Sequence, residues 1–226
     1  MPIATYKDLC IDAVDPVLLG EFWAAALGLE PNRLDDGDLF LGGPTPQHGV
    51  WVNRVPEPVT VKQRFHLDVH AAGADEVLAL GATPEDTESF RWDVLRDPEG
   101  GELCVFTREE VPSYKLYEVV VDSTDPSAVA QWWHGVLGGE LGGNEEKGWA
   151  WLDQLPGVPF ENIVFVRVPE PKTGKNRIHL DVEVDDVQPL LDHGATVLRE
   201  PDDDISWHVL ADPEGNELCA FARTDG

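Results

Sequence analysis

The stretch His66-Leu67-Asp68-Val69 recurs as His179-Leu180-Asp181-Val182, and this repetition decides the fold. Other segments repeat around it in the same order. They are Arg54-Val55-Pro56-Glu57-Pro58 with Arg167-Val168-Pro169-Glu170-Pro171, Gly81-Ala82-Thr83 with Gly194-Ala195-Thr196, and Asp97-Pro98-Glu99-Gly100 with Asp212-Pro213-Glu214-Gly215. A period of about 110 residues indicates a duplicated domain rather than a solenoid unit. We therefore predict two homologous halves, residues 1–110 and 114–226.

Each half shows the same order of elements. A strand near 6–13, and again near 116–123, ends at an Asp-Pro pair, where Asp as N-cap and Pro as first helical residue predict a helix start. Two short strands follow this helix. A strand that opens with His66 or His179 comes next, followed by a short helix and two strands that flank the Asp-Pro-Glu-Gly turn. The pattern predicts an α+β fold with four similar modules.

The composition excludes several classes of protein. The chain has 226 residues, and its 43 acidic and 16 basic residues give a net charge of −27, which disfavours nucleic acid and membrane surfaces as partners. Its 42% hydrophobic content predicts a packed core. The sequence has no signal-peptide pattern and no glycine-rich phosphate motif, so we expect no nucleotide cofactor. Three cysteines without a CxxC pair favour a reducing, cytoplasmic location.

Several of these motifs together resemble one known superfamily. In the first half they are Asp15-Pro16, Phe22-Trp23-Ala24-Ala25-Ala26-Leu27-Gly28, Arg64-Phe65-His66-Leu67-Asp68-Val69 and Asp97-Pro98-Glu99-Gly100-Gly101-Glu102-Leu103-Cys104, with counterparts in the second half. The chain resembles the vicinal oxygen chelate superfamily of glyoxalase, bleomycin-resistance and extradiol-dioxygenase proteins, and within it the glyoxalase-like subgroup. The resemblance implies tandem glyoxalase-like domains, each of two βαβββ modules curled into a half-open barrel.

The resemblance also implies a set of metal ligands. By position these are Asp8, His66 and Glu102 in the first half and Glu118, His179 and Glu217 in the second. One imidazole and two carboxylates suit Fe(II), Mn(II), Zn(II) or Ni(II). Family members sometimes complete a site across module pairs, so a crossed set of Asp8, His179 and Glu217 is an alternative. The family more often has His or Gln where Asp8 and Glu118 stand, and its fourth acid has no clear equivalent.

Other recurring residues have two interpretations each. Asp12 and Asp122 suit local capping, or proton transfer in the barrel. We interpret Asp68 and Asp181 either as residues that support a metal ligand or as catalytic groups. Cys104 and Cys219 suit small buried side chains. Arg64 and Arg177 either pair with the acidic surface or meet an anionic ligand, and we favour the former. Trp149 and Trp151, which we align with Leu39 and Leu41, form either an aromatic wall of the second barrel or packing against a neighbouring sheet.

Three functions follow from this pattern. We favour a divalent-metal-dependent lyase, isomerase or dioxygenase that acts on a small oxygenated metabolite. The alternative is a metal-free, resistance-type protein that binds an antibiotic or metabolite, with Trp149, Trp151 and Trp207 as stacking surfaces. A scaffold with relic barrels is the third, and its mark is acids and histidines bonded to each other without an open cavity. Four modules in one chain allow a monomer as well as a homodimer.

Overall fold

The computed structural model describes residues 1–223, which form four βαβββ modules in succession. The first module contains β1 (Thr5–Ala13), α1 (Pro16–Leu27), β2 (Glu30–Arg33), β3 (Leu39–Gly42) and β4 (Val50–Arg54). The second contains β5 (Phe65–Ala71), α2 (Ala74–Leu78), β6 (Thr83–Asp86), β7 (Asp93–Arg96) and β8 (Glu102–Thr107).

The second half repeats this order. The third module contains β9 (Leu116–Ser123), α3 (Pro126–Leu137), β10 (Glu140–Asn144), β11 (Trp149–Asp153) and β12 (Asn162–Arg167). The fourth contains β13 (Ile178–Val184), α4 (Gln188–Asp192), β14 (Thr196–Arg199), β15 (His208–Ala211) and β16 (Glu217–Ala222). The second strand of each module, which the sequence pattern does not predict, consists mostly of exposed residues and so lacks apolar alternation.

The two long helices begin and pack as predicted. The Asp15 side chain accepts hydrogen bonds from the backbone N–H groups of Val17 and Leu18, and Asp125 caps α3 in the same way. Trp23 on α1 and Trp133 on α3 are completely buried in the hydrophobic core. Among residues 1–223, none of the helices has the length and apolar character needed to cross a membrane.

The modules form two open eight-stranded sheets, and each sheet takes one module from each half. Sheet A has the order β14-β15-β16-β13-β1-β4-β3-β2, and sheet B has the order β10-β11-β12-β9-β5-β8-β7-β6. The prediction of βαβββ modules in half-open barrels is confirmed. The structure adds that the first module pairs with the fourth, and the second with the third, because the segments 55–64 and 168–177 carry the chain from one sheet to the other.

The recurring Asp-Pro-Glu-Gly turn joins the two sheets. Asp212 accepts hydrogen bonds from the backbone of its own turn and from the indole nitrogen of Trp133 on α3, at 3.2 Å. Glu214 accepts from the backbone N–H of Asp125, at 2.9 Å, and Glu99 does the same for Asp15, at 2.7 Å. The Asp-Pro-Glu-Gly turn of a module in one sheet therefore holds the junction between the first strand and the helix of a module in the other sheet.

The two recurring arginines also have structural partners. Arg64 donates to the backbone carbonyls of Glu170 and Pro171, and Arg177 donates to the carbonyl of Glu57 and lies 3.2 Å from Glu99. Both side chains are buried. Each arginine holds the loop of the recurring Arg-Val-Pro-Glu-Pro segment in its own sheet.

Candidate functional site

The sheet pairing redistributes the predicted metal ligands. Asp8 on β1 lies in sheet A with His179 and Glu217, whereas Glu118 on β9 lies in sheet B with His66 and Glu102. The ligand set predicted for each half is therefore divided between the two sheets. The three residues of the crossed set, Asp8, His179 and Glu217, lie together in sheet A. The cause is again the crossing segments, which move the chain to the other sheet after β4 and after β12.

The face of sheet A opposite its helix carries polar side chains, and we call it cup A. Strand alternation places Asp8, Cys10 and Asp12 of β1 on this face, while Leu9 and Ile11 enter the hydrophobic core. Asp8 faces Asp181 and Cys10 faces His179 across the antiparallel pair β1–β13. A cavity of about 610 Å³ opens here, with a lining that includes Cys10, Trp51, Asn53, His179, Trp207 and Phe221.

Lysines neutralise three carboxylates of cup A. Asp8 lies 2.6 Å from the ammonium of Lys7, Asp12 lies 2.5 Å from that of Lys175, and Glu217 lies 2.8 Å from that of Lys172. Asp8 also accepts from the Trp51 indole at 3.1 Å. Two of the three crossed-set ligands, Asp8 and Glu217, are therefore already bound to a cation of the protein.

His179 in cup A has a charged environment. Its Nδ1 lies 2.8 Å from Oδ1 of Asp181, and a ring nitrogen lies within 4.8 Å of the Cys10 sulfur. Burial lowers the pKa of His179, but Cys10 and Asp181 outweigh burial and raise it well above its usual range. The protonated imidazolium is therefore favoured, and it is a poor metal ligand because coordination needs the free nitrogen pair.

The equivalent face of sheet B, which we call cup B, has fewer cations. His66, Asp68 and Cys104 have ligand atoms that all lie within 4.8 Å of one another. Glu118 faces Asp68 across β9 and β5 and accepts a hydrogen bond of 2.7 Å from the Asn162 side chain. Within residues 1–223, no Lys or Arg nitrogen lies within 4.0 Å of the Asp68 or Glu118 carboxylates; Lys62 pairs instead with Asp122, at 2.6 Å.

The pKa shifts of the titratable side chains in cup B differ from those in cup A. Burial lowers the pKa of His66 to about 4, an effect that Lys62 increases and Asp122 opposes. The imidazole is therefore neutral at physiological pH and free to coordinate. Burial, together with the charge of Glu118, raises the pKa of Asp68 well above its usual range. Burial also raises the pKa of Glu118. Cup B thus holds two carboxyl groups without a Lys or Arg nitrogen within 4.0 Å in the described residues, and burial favours their protonated forms until a cation binds.

The predicted aromatic residues are divided between the cups. Trp149 and Trp151 stack at 4.9 Å on β11 of sheet B, and Trp207 stacks on Phe221 at 5.0 Å in cup A. The predicted alignment with Leu39 and Leu41 is wrong by one residue. Strand pairing makes Ala150 and Leu152 the core equivalents of those leucines, and Trp151 the equivalent of Phe40. A shift of one residue exchanges the two faces of a strand, so both tryptophans lie on the cup B face.

Some site residues were missed at the sequence level. Cys10, Asn53 and the three lysines of cup A were not singled out, although the alternation Asp8, Cys10, Asp12 along β1 was a signal that they share one face. Asp68 and Asp181 were interpreted as support for a ligand or as catalytic groups, and Cys104 and Cys219 as small buried side chains. All three cysteines are free and buried, as predicted for Cys104 and Cys219, and their sulfur atoms lie among the histidines and carboxylates of the cups.

Comparison with known proteins agrees with this architecture. The sequence profile of the glyoxalase-like domain family matches the chain twice, at residues 8–106 and 118–221. The chain belongs to the glyoxalase-like domain family. The matched segments cover both predicted halves, so the resemblance to vicinal oxygen chelate proteins is confirmed. No curated protein sequence matches the chain.

Solved structures of glyoxalase-like proteins share the fold. A glyoxalase I mutant from Zea mays superposes with a TM-score of 0.69 at 14% identity, over 97% of this chain and 94% of that one. A putative dioxygenase from Bacillus subtilis superposes with a TM-score of 0.66 at 15% identity, over 100% of this chain and 87% of that one. At these identities the likeness establishes the fold of this glyoxalase-like protein, and its chemistry has to be argued from its own cups.

Proposed function

We propose that this glyoxalase-like protein is a divalent-metal-dependent enzyme that works in cup B on a small oxygenated molecule. The observation that carries the proposal is the neutral, partly buried His66, which lies beside Asp68 and Cys104 without a protein cation on the Asp68 carboxylate. Burial raises the pKa of both Asp68 and Cys104, so a metal would have to displace their protons; the resulting imidazole, carboxylate and thiolate donors suit Zn(II) or Fe(II). The free, buried cysteines support a reducing, cytoplasmic location.

Cup B fits a metal better than cup A does. In cup A the lysines already neutralise Asp8, Asp12 and Glu217, and His179 favours its protonated form. The Asp68 oxygen Oδ1 of cup B is buried without an aligned hydrogen-bond partner among residues 1–223, as is Oδ1 of its cup A equivalent Asp181, so the cups differ in their histidines and lysines. Glu102, at the start of β8, is not part of the His66 group. We therefore assign the ligands to His66, Asp68 and Cys104.

Glu118 has the properties of a proton acceptor in cup B. A metal bound beside it would act as a Lewis acid on a carbonyl oxygen of the substrate. Burial raises the pKa of Glu118, and the Asn162 amide holds one carboxylate oxygen at 2.7 Å, which fixes the direction of the other oxygen. Such a carboxylate is suited to remove a proton from the carbon next to that carbonyl. The stacked Trp149 and Trp151 provide an aromatic surface on the same face. These groups favour an isomerase or lyase over a dioxygenase.

Metal titration of the EDTA-stripped protein tests this assignment. Isothermal calorimetry with ZnSO4, checked by elemental analysis, is expected to show one equivalent bound by the wild type and none by His66→Ala. The matched control is His179→Ala, which alters the equivalent histidine of cup A and is expected to keep the site. The proposal fails if the wild type binds no Zn, Fe, Mn or Ni, or if His179→Ala is the variant that loses the metal.

Cup A supports a second candidate function, the metal-free binding of a small molecule. Its cavity of about 610 Å³ is of the size that holds small ligands. Because lysines already pair with Asp8, Asp12 and Glu217, no metal is needed to balance the charges of these carboxylates. Trp51, Trp207 and Phe221 supply the apolar wall. Aromatic ligands that enter this cavity are expected to quench tryptophan fluorescence in the presence of EDTA, and Trp207→Leu is expected to remove most of that quenching. Quenching that survives in the double variant Trp51→Leu, Trp207→Leu would rule out cup A as the binding site.

A further inference from the structure

Cup A contains a cysteine that has no counterpart in cup B. Cys10 stands opposite His179 in the β1–β13 register, and its sulfur lies within 4.8 Å of a ring nitrogen of that histidine. The equivalent position on β9 is Val120, which faces His66. Any thiol chemistry that depends on this contact therefore belongs to cup A.

Asp181 is a second close neighbour of the histidine. It lies two residues from His179 on the same strand face, with Oδ1 2.8 Å from Nδ1 of the ring. Both side chains are more than nine-tenths buried, and in the described part of the chain neither of these atoms has an aligned hydrogen-bond partner. A carboxylate beside one ring nitrogen orients the imidazole so that its other nitrogen is available to a nucleophile.

A hydrogen-bond donor also contacts the Cys10 sulfur directly. The Asn53 amide nitrogen on the neighbouring strand β4 lies 3.1 Å from the Cys10 sulfur. A hydrogen-bond donor at this distance stabilises negative charge on the sulfur. A cysteine that only packs in the core needs no such donor. Cys10, Asn53, His179 and Asp181 all line the cavity of about 610 Å³, so a small molecule that enters it meets the thiol.

Cys219 lines the same cavity but is less suited to react. It lies with His179 and Asp181 in a second group of ligand atoms, while the Asn53 amide contacts Cys10. Burial raises the pKa of both thiols, so the contact with the Asn53 amide, and not burial, distinguishes Cys10 from Cys219.

We propose that Cys10 is a nucleophile, activated by His179 and oriented through Asp181, that adds to small carbonyl electrophiles in cup A. The Cys10–His179 pair shares one proton, which lies on His179 as the sulfur forms a bond to the carbonyl carbon and the electron pair of the C=O π bond moves to oxygen. His179 then returns the proton to that oxygen. The product is a hemithioacetal, and the step needs neither an oxidant nor a metal.

The wall of the cavity indicates which carbonyl compounds fit. Trp207 stacks on Phe221 at 5.0 Å, and the Lys7 ammonium lies 4.4 Å from the centre of the Phe221 ring. Flat aromatic surfaces bind planar ligands. The geometry therefore favours aromatic aldehydes, and benzaldehyde is the simplest probe.

Alkylation kinetics in EDTA test the proposal independently of the metal site. The folded protein is treated with iodoacetamide, and the labelling of each cysteine is followed by peptide mass spectrometry. Cys10 is expected to react at least about tenfold faster than Cys104 and Cys219, and His179→Ala to remove most of that advantage. Benzaldehyde is expected to protect Cys10, whereas benzyl alcohol, which has the same ring without a carbonyl, is expected to protect much less.

Controls separate a reactive site from a general loss of structure. Circular dichroism is measured for each variant, and Asp181→Asn serves as the milder substitution if His179→Ala fails to fold. His48→Ala changes a histidine outside the cavity and is expected to leave the Cys10 rate unchanged. Faster labelling of Cys219 than of Cys10, a Cys10 rate equal to that of Cys104, or equal protection by both probes would each overturn the proposal.

Discussion

His66 and His179 occupy equivalent positions on β5 and β13, yet their neighbours favour opposite protonation states. Next to His66 the facing strand carries Val120, and burial lowers the pKa of the ring to about 4. Next to His179 the facing strand carries Cys10, which, with Asp181, raises the pKa of the ring against the effect of burial. A duplicated fold thus provides one neutral imidazole and one that favours its protonated form, and we assign different chemistry to each.

The first prediction compares the two equivalent aspartates in metal-dependent stability. ZnSO4 is expected to raise the melting temperature of the wild type, because a ligand at about 100 times its Kd stabilises the folded state by about 2.7 kcal/mol. Asp68→Asn is expected to lose this shift and Asp181→Asn to keep it. Differential scanning fluorimetry measures both, and an equal loss in the two variants would contradict the assignment of the metal to cup B.

The second prediction concerns the lysine pairs that recur in both cups. Lys175 and Lys62 neutralise Asp12 and Asp122, whose side chains are about 95% buried. Lys175→Met is expected to reduce the free energy of unfolding by about 1–2 kcal/mol, less than for a fully buried pair because the lysine is half-exposed. Lys62→Met is expected to have the same effect. Urea denaturation measures the loss, and the exposed Lys147→Met, expected to change stability little, is the control.

The third prediction concerns pH and the buried turn residue Asp97. Burial raises its pKa to about 6, although the backbone N–H groups of Gly101 and Glu99 oppose that shift. Because the folded-state pKa lies above the unfolded value, its contribution to stability is fully present below about pH 4 and is lost as the pH rises through 6. The difference in unfolding free energy between wild type and Asp97→Asn is therefore expected to change by about 2 kcal/mol between about pH 4 and 7.5 in favour of the variant. Denaturation series at several pH values measure it, and a constant difference would refute this account.

The fourth prediction concerns the glycine that ends α1. Gly28 has φ 72°, and a Cβ built there would lie 2.0 Å from the backbone oxygen of Ser113, in the segment that links the two halves. Gly28→Ala is expected to cost more than about 2 kcal/mol, since both the left-handed backbone and a rigid carbonyl oppose the methyl group. Gly215 has φ 84° with open space around it, so Gly215→Ala is expected to cost only about 1 kcal/mol. Equal losses in urea denaturation would show that the contact with Ser113 is unimportant.

Much of the local structure was predictable because it depends on short segments. The Asp-Pro pairs start α1 and α3, the Asp-Pro-Glu-Gly segments form turns, and Trp23 and Trp133 enter the core, as their spacing indicates. The second strand of each module was not predictable, because its exposed residues carry no apolar alternation. The position of Trp151 was misassigned by one residue, since alignment by residue type does not fix a strand register.

The sequence by itself determined the four similar modules, the family and the residue types that recur in the cups, because a duplication preserves local patterns. Only the tertiary structure decided which module shares a sheet with which, and therefore that Asp8 faces Asp181 in the sheet of His179 while Glu118 faces Asp68 in the sheet of His66. It also decided the partners of each charge, such as Lys175 for Asp12 over a separation of 163 residues. Long-range pairing depends on how the crossing segments run between the sheets, and no local pattern of residues encodes that path.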